Sequence, residues 1–142
     1  MRSRVLTSSL VIAVALAVCG VAFAHHGSSA YSDKLVTLKE VTVTKFVWAN
    51  PHSILYFDVK GEDGKVAHWA AEAGSPSALG LIGWNKNSFR PGDVVTVHMY
   101  QAKTGNPVGR LNRVVLADGT TLGDSQQGGA TFNGVGTQQP TQ

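Results

Sequence analysis

Two strand-forming runs joined by the hexapeptide Trp48-Ala49-Asn50-Pro51-His52-Ser53 set the terms on which this chain can fold. Residues 35–47 alternate apolar and polar side chains, and residues 54–59 are rich in β-branched and aromatic groups. Both patterns are those of strands. Asn50 and Pro51 then form the connection, because proline fixes φ and asparagine tolerates turn geometry by bonding its own backbone. His52 leaves that turn in a restricted direction, which suits a ligand position and equally suits a solvated loop residue.

By simple alternation Val41, Val43 and Val47 fall on one face of the first run, and Leu38, Phe46 and Trp48 on the other. Apolar groups on both faces predict a curved strand in a small closed barrel rather than a flat sheet. Further along, Asp63-Gly64 is a hairpin signal, and residues 65–72 read as a third strand. Ser75 can cap a helix with Pro76 at its first position. Leu79, Leu81 and Ile82 are its expected apolar contacts, and Gly83 ends it. Trp84 and Phe89 are expected to close that end of the barrel. After the turn Arg90-Pro91-Gly92-Asp93, residues 94–100 form a fourth strand with Val95, Val97 and Met99 on one face. Residues 111–117 form a fifth, and Asp118-Gly119 turns the chain into residues 120–122. The order β-β-β-α-β-β predicts a mainly β fold, a small five- to six-stranded OB-like barrel with one short helix, after a signal peptide.

The signal peptide is residues 1–24: Arg2 and Arg4 give the basic region, residues 10–18 the apolar region, and Ala22-Phe23-Ala24 the cleavage site. Cleavage there makes His25 the first residue of a periplasmic or secreted protein with no stable membrane anchor. Cys19 is preceded by Val18, whereas a lipoprotein acylation site wants a small residue there. Removing residues 1–24 takes away Arg2, Arg4 and the only cysteine, and ten Lys and Arg then face nine Asp and Glu. The basic balance belongs to the signal, so nucleic acid is not an expected partner. A disulfide framework is excluded as well. Residues 25–34 are polar and contain Gly and Ser, and read as a mobile N-terminal arm. Residues 35–122 are the OB-like β-barrel domain. Residues 123–142, dominated by Gly, Gln and Thr, read as a disordered tail, so removing the chain from Asp124 onward is expected to leave stability nearly unchanged.

The segment AHHGSS at the mature start, the NPHS turn after an aromatic strand end, HWAAEAGSP, LIGW and RPGDVVTV together resemble the exported bacterial family known as domain of unknown function 6152. The likeness runs roughly from His25 to Leu122. It rests on His25, His26, Asn50, Pro51, His52, Trp69, Glu72, Gly83, Trp84, Pro91 and Gly92. The resemblance implies a small exported β-protein and implies no established activity.

All five histidines lie in the mature chain. A free α-amine on His25 and its own imidazole Nδ1 can close a chelate ring on one metal ion, an arrangement resembling the histidine brace of copper proteins. His26 and His52 can supply a further imidazole, and nitrogen ligands of this kind favour Cu(II). The expected metal residues are therefore His25, His26 and His52, with copper as the cofactor. Asn50, Glu72 and Trp84 are possible ligands or supporting groups. Glu72 could orient a histidine, and His68 and His98 read as hydrogen-bonded strand histidines. An enzyme is poorly supported, because no GxSxG, HExxH, CxxC or phosphate-binding Gly-rich loop is present. Two readings remain: an exported periplasmic metal-binding protein whose partner is a metal ion, or a metal-independent OB-like binding or adaptor module with an unknown periplasmic partner.

Overall fold

The computed structural model describes residues 30–125. Its first strand, β1 (Tyr31–Val47), is 17 residues long and pairs with two partners in succession. Its N-terminal part runs antiparallel to β4 (Val94–Ala102), and its C-terminal part runs antiparallel to β2 (Ile54–Lys60). The hairpin partner of β2 is β3 (Val66–Glu72). β5 (Val108–Val115) lies antiparallel to β4 and gives its other edge first to β3, in parallel, and then to β6 (Thr121–Gly123). Hydrogen bonding therefore closes a barrel-like ring through β1, β2, β3, β5 and β4. One short helix, α1 (Pro76–Gly80), lies between β3 and β4. The fold is mainly β, as the order of elements predicts. Among the described residues no helix is long and apolar enough to cross a membrane.

Simple alternation fails in β1, and the reason is physical. The register shifts between Leu38 and Val41 and again between Val43 and Lys45. Each irregularity adds a residue that reverses the inward and outward phase. Leu38, Val41, Val43, Phe46 and Trp48 consequently all meet one core, although alternation assigns them to opposite faces. Glu40 at the first irregularity has φ 52°, a region that costs an L-residue about 1–2 kcal/mol. The two bends let one strand serve both halves of the ring while keeping Phe57, Leu55, Val97 and Met99 fully buried against it.

Other boundaries also move. β1 begins at Tyr31, so residues 31–34 of the expected arm are strand. α1 is a single turn of five residues, capped by the Ser75 hydroxyl, which accepts from the Ala78 N–H. Only Leu79 is buried from it. Leu81 is 89% exposed and Ile82 46%, because the helix stops before it could turn them inward. Trp84 and Phe89 do close the end of the core, with ring centroids 5.3 Å apart, and Phe46 packs edge-on to Phe89 at 5.1 Å.

The C-terminal boundary lies beyond Leu122. Gly123 belongs to β6, and its carbonyl accepts from the Trp84 indole N–H at 2.9 Å. Asp124 is buried; its N–H donates to the Asn112 carbonyl, and its carboxylate accepts from the Gly74 N–H at 2.7 Å. Two neighbouring loops are thereby tied by one side chain. Residues 126–142 of the expected tail lie outside the described residues.

Two outcomes follow for stability. Truncation before Asp124, or Asp124→Ala, should destabilise the fold by about 1.5–3 kcal/mol, since a buried N–H loses a charged acceptor; truncation after Ser125 should not, and thermal or urea unfolding distinguishes the two. At the first bend of β1, Glu40→Val should destabilise beyond the cost Glu40 already carries, because a β-branched residue is more restricted at positive φ. Glu40→Gly should be tolerated in the same unfolding assay.

Candidate functional site

The turn between β1 and β2 carries Asn50 and Pro51, both exposed and joined by a cis peptide bond. Its exit is anchored by Ser53, whose N–H donates to the Gly74 carbonyl and whose carbonyl accepts from the Ala73 N–H. This backbone clamp sets His52 beside the end of β3. Glu72 is the cross-strand partner of Ile54 there and, with its neighbours Ala71 and Ala73 buried, projects away from the core. The His52 Nδ1–H donates to Glu72 Oε1. A carboxylate oxygen accepts, so the proton sits on Nδ1, and in the neutral imidazole the lone pair is then on Nε2, where a ligand can use it.

The second Glu72 oxygen is also used. Tyr31, at the very start of β1, donates its hydroxyl to Glu72 Oε2 at 3.4 Å. Burial raises the Tyr31 pKa above its ordinary value; the neighbouring Glu72 charge and the hydrogen bond to it act in the same direction, while Arg110 opposes them. Arg110 faces Glu72 in the parallel β3–β5 register and Tyr100 in the β4–β5 register. Its guanidinium carbon lies 5.8 Å from the centre of the Tyr100 ring. Tyr31, Glu72 and His52 thus form a chain of hydrogen bonds across the seam where the ring closes, with Arg110 beside it.

His52 and Glu72 come together. Asn50 stays exposed at the turn, and Trp84 is in the core with its N–H committed to Gly123. His25 and His26 lie outside the described residues. Among those described, no group of three or more His, Cys, Asp or Glu is gathered closely enough to hold a metal ion. His68 and His98 are hydrogen-bonded strand histidines, as their sequence positions suggest. His68 Nδ1–H donates to Asp58 at 2.6 Å, and His98 Nδ1 shares a 2.9 Å bond with Thr37 Oγ1. Tyr31 and Arg110 carry no signal in the linear sequence. Tyr31 sits in a polar stretch, and Arg110 meets Glu72 only through the parallel pairing that closes the ring.

A mainly β protein with an OB-like ring and a histidine–carboxylate pair at its seam is the class these features define. The chain belongs to the Family of unknown function (DUF6152), whose model matches residues 13–112. That span includes His52, Glu72 and Arg110. No curated protein and no solved structure matches the chain.

The chain of bonds predicts a titration. Spectrophotometric titration at 295 nm, compared with Tyr31→Phe, should find Tyr31 ionising above the ordinary value of about 10. Its proton is held more tightly in the folded state, so stability should fall as pH rises through and beyond that value. Glu72→Gln should return the Tyr31 transition only part of the way, because burial is the largest cause and remains. A full return, or none, would contradict the assignment.

Proposed function

We propose that the protein is exported to the periplasm and binds a metal ion, copper, through a mature N-terminal His25 together with His52. The reading rests on the His52–Glu72 pair. Histidines that ligate metals characteristically donate their second ring N–H to a carboxylate, which fixes the tautomer and raises the basicity of the ligating nitrogen. Glu72 does this for His52, with Tyr31 holding the carboxylate from its other side.

The covalent chain supports the remaining ligands. His25 lies six residues before Tyr31, and six residues span at most roughly 20 Å. Tyr31 itself reaches Glu72, so His25 and His26 are tethered within range of Nε2 on His52. A terminal histidine contributes both an amine and an imidazole, and this all-nitrogen donor set suits Cu(II). The amine has a reference pKa of about 7.7–8.0 and loses its proton readily on binding near neutral pH. Removal of residues 1–24 is what creates that amine, so export and metal binding are linked in this reading. A metal-independent binding or adaptor module is the alternative if the linkage fails.

Titration of the processed protein with Cu(II) at neutral pH tests it. One extra residue before His25 converts the amine into an amide and should weaken binding by about tenfold or more. Glu72→Gln should weaken it roughly 10–100-fold through loss of the orienting carboxylate. Copper should raise the unfolding temperature of the wild type, since His52 is positioned only in the folded state. Equal affinity of the native and extended chains would overturn the copper reading.

A further inference from the structure

The outer face of the β4–β5 pair carries two guanidinium groups that form no ion pair with a carboxylate among the described residues. Arg110 stands opposite Tyr100 in the ladder, and Arg113 stands opposite His98. The register shift between these two pairs puts both arginines on the same side of the sheet, although they are three residues apart in sequence. The pairs are separated by two residues of β4, roughly 7 Å along the strand.

Each arginine is held by neutral groups. Glu72 is the direct ladder partner of Arg110 in β3, yet its two oxygens go to His52 and Tyr31. Among the described residues the ion pairs are His52–Glu72, Lys65–Asp63 and His68–Asp58, and neither arginine takes part. Arg110 instead lies over the Tyr100 ring, and its Nε is buried with no acceptor. Arg113 donates an Nη1–H to the amide oxygen of Asn112 at 3.2 Å. Its positive charge, after burial, helps hold the His98 pKa below the ordinary value. The remaining ladder neighbours of this face, Leu35 and Thr37 on β1, are uncharged.

We propose that this face is a binding site for a small oxyanion, with Arg110 as its anchor and Arg113 as its second cation. A guanidinium presents paired N–H donors in a planar fork that matches carboxylate and phosphate oxygens. Stacking on Tyr100 fixes the plane of the Arg110 fork in advance, so less side-chain freedom is lost on binding. Two arginines whose ladder positions lie roughly 7 Å apart suit phosphate or a short dicarboxylate better than a monocarboxylate, which can engage only one of them. The site is independent of the copper reading, since none of its donors is a metal ligand in that scheme.

The test uses 15N-labelled protein stripped of metal with a chelator and titrated with phosphate, succinate, acetate and chloride at constant ionic strength. The arginine Nε–H resonance of Arg110 should shift along a saturating curve with phosphate or succinate. Acetate should bind more weakly by about tenfold, as expected for one fork in place of two, and chloride should give no saturable shift. Arg113→Gln should reduce succinate affinity to the level of acetate. With saturable binding followed on the backbone amides of residues 98–113, Arg110→Gln should abolish it. Arg110→Lys, which keeps the charge and the fold but removes the fork, should fail to restore it. Shifts that are linear and equal for all four salts would overturn the proposal, as would binding unchanged in Arg110→Gln or restored in full by Arg110→Lys.

Discussion

The phase reversals in β1 govern the rest of the structure. A strand of 17 residues that kept strict alternation would present half its length to a core and the other half to water as it passed from β4 to β2. A one-residue slip moves every following side chain to the opposite face. Two such slips, at residues 38–41 and 43–45, keep Leu38, Val41, Val43 and Phe46 inward around a bend. The backbone near the second bend is bonded to the following turn, where the Val43 N–H donates to the Asp93 carbonyl and the Gly92 N–H donates to the Val43 carbonyl. Because β1 curves, β2 and β4 diverge, and β3 and β5 can meet on the far side.

That meeting places chemistry that the linear chain keeps apart. The parallel β3–β5 contact covers three ladder pairs, from Ala70 with Val108 to Glu72 with Arg110. On the other edge of β5, the pairing with β4 is very close at Gly109, where a Cβ would lie 2.6 Å from the Tyr100 carbonyl oxygen and 2.1 Å from the Met99 methyl carbon. A backbone oxygen cannot retreat from such a contact without breaking the ladder, so glycine is required there. Where β3 meets β5, Glu72 comes within reach of a hydroxyl from the start of β1 and an imidazole from the β1–β2 turn. The seam that closes the ring is therefore also where its polar groups concentrate.

Much of this architecture is legible in the sequence, and the exceptions share a cause. The turns at Asp63-Gly64 and Pro91-Gly92, the Ser75 cap and the inward face of β4 depend on neighbouring residues, and each stands where local rules put it. His52 and Glu72 could be singled out by residue type, and Trp84 also. The indole of Trp84 nevertheless went to the core, since its ring completes the Phe46–Phe89 cluster and its N–H finds the Gly123 carbonyl. The bulges in β1, the use of Asp124 and the roles of Tyr31 and Arg110 are consequences of long-range pairing. The partners that decide most of them lie far off in the chain: β4 for the first bulge, Gly74 for Asp124, and Glu72 for both Tyr31 and Arg110.

The two histidine–carboxylate pairs that involve β2, β3 and the turn before β2 show why composition alone does not define a site. His68 and Asp58 are direct ladder partners, with Nδ1 2.6 Å from the carboxylate oxygen. The His68 side chain is nevertheless 82% exposed, so water competes for both groups and the imidazole has little to hold its direction. His52 is 41% exposed and is fixed at its backbone by the Ser53–Gly74 clamp. Its carboxylate is 38% exposed and is restrained by Tyr31 as well. A ligand that needs one lone pair aimed in one direction meets a lower entropic cost at His52 than at His68. The difference arises from the neighbours each pair acquires when the ring closes, not from the pair itself.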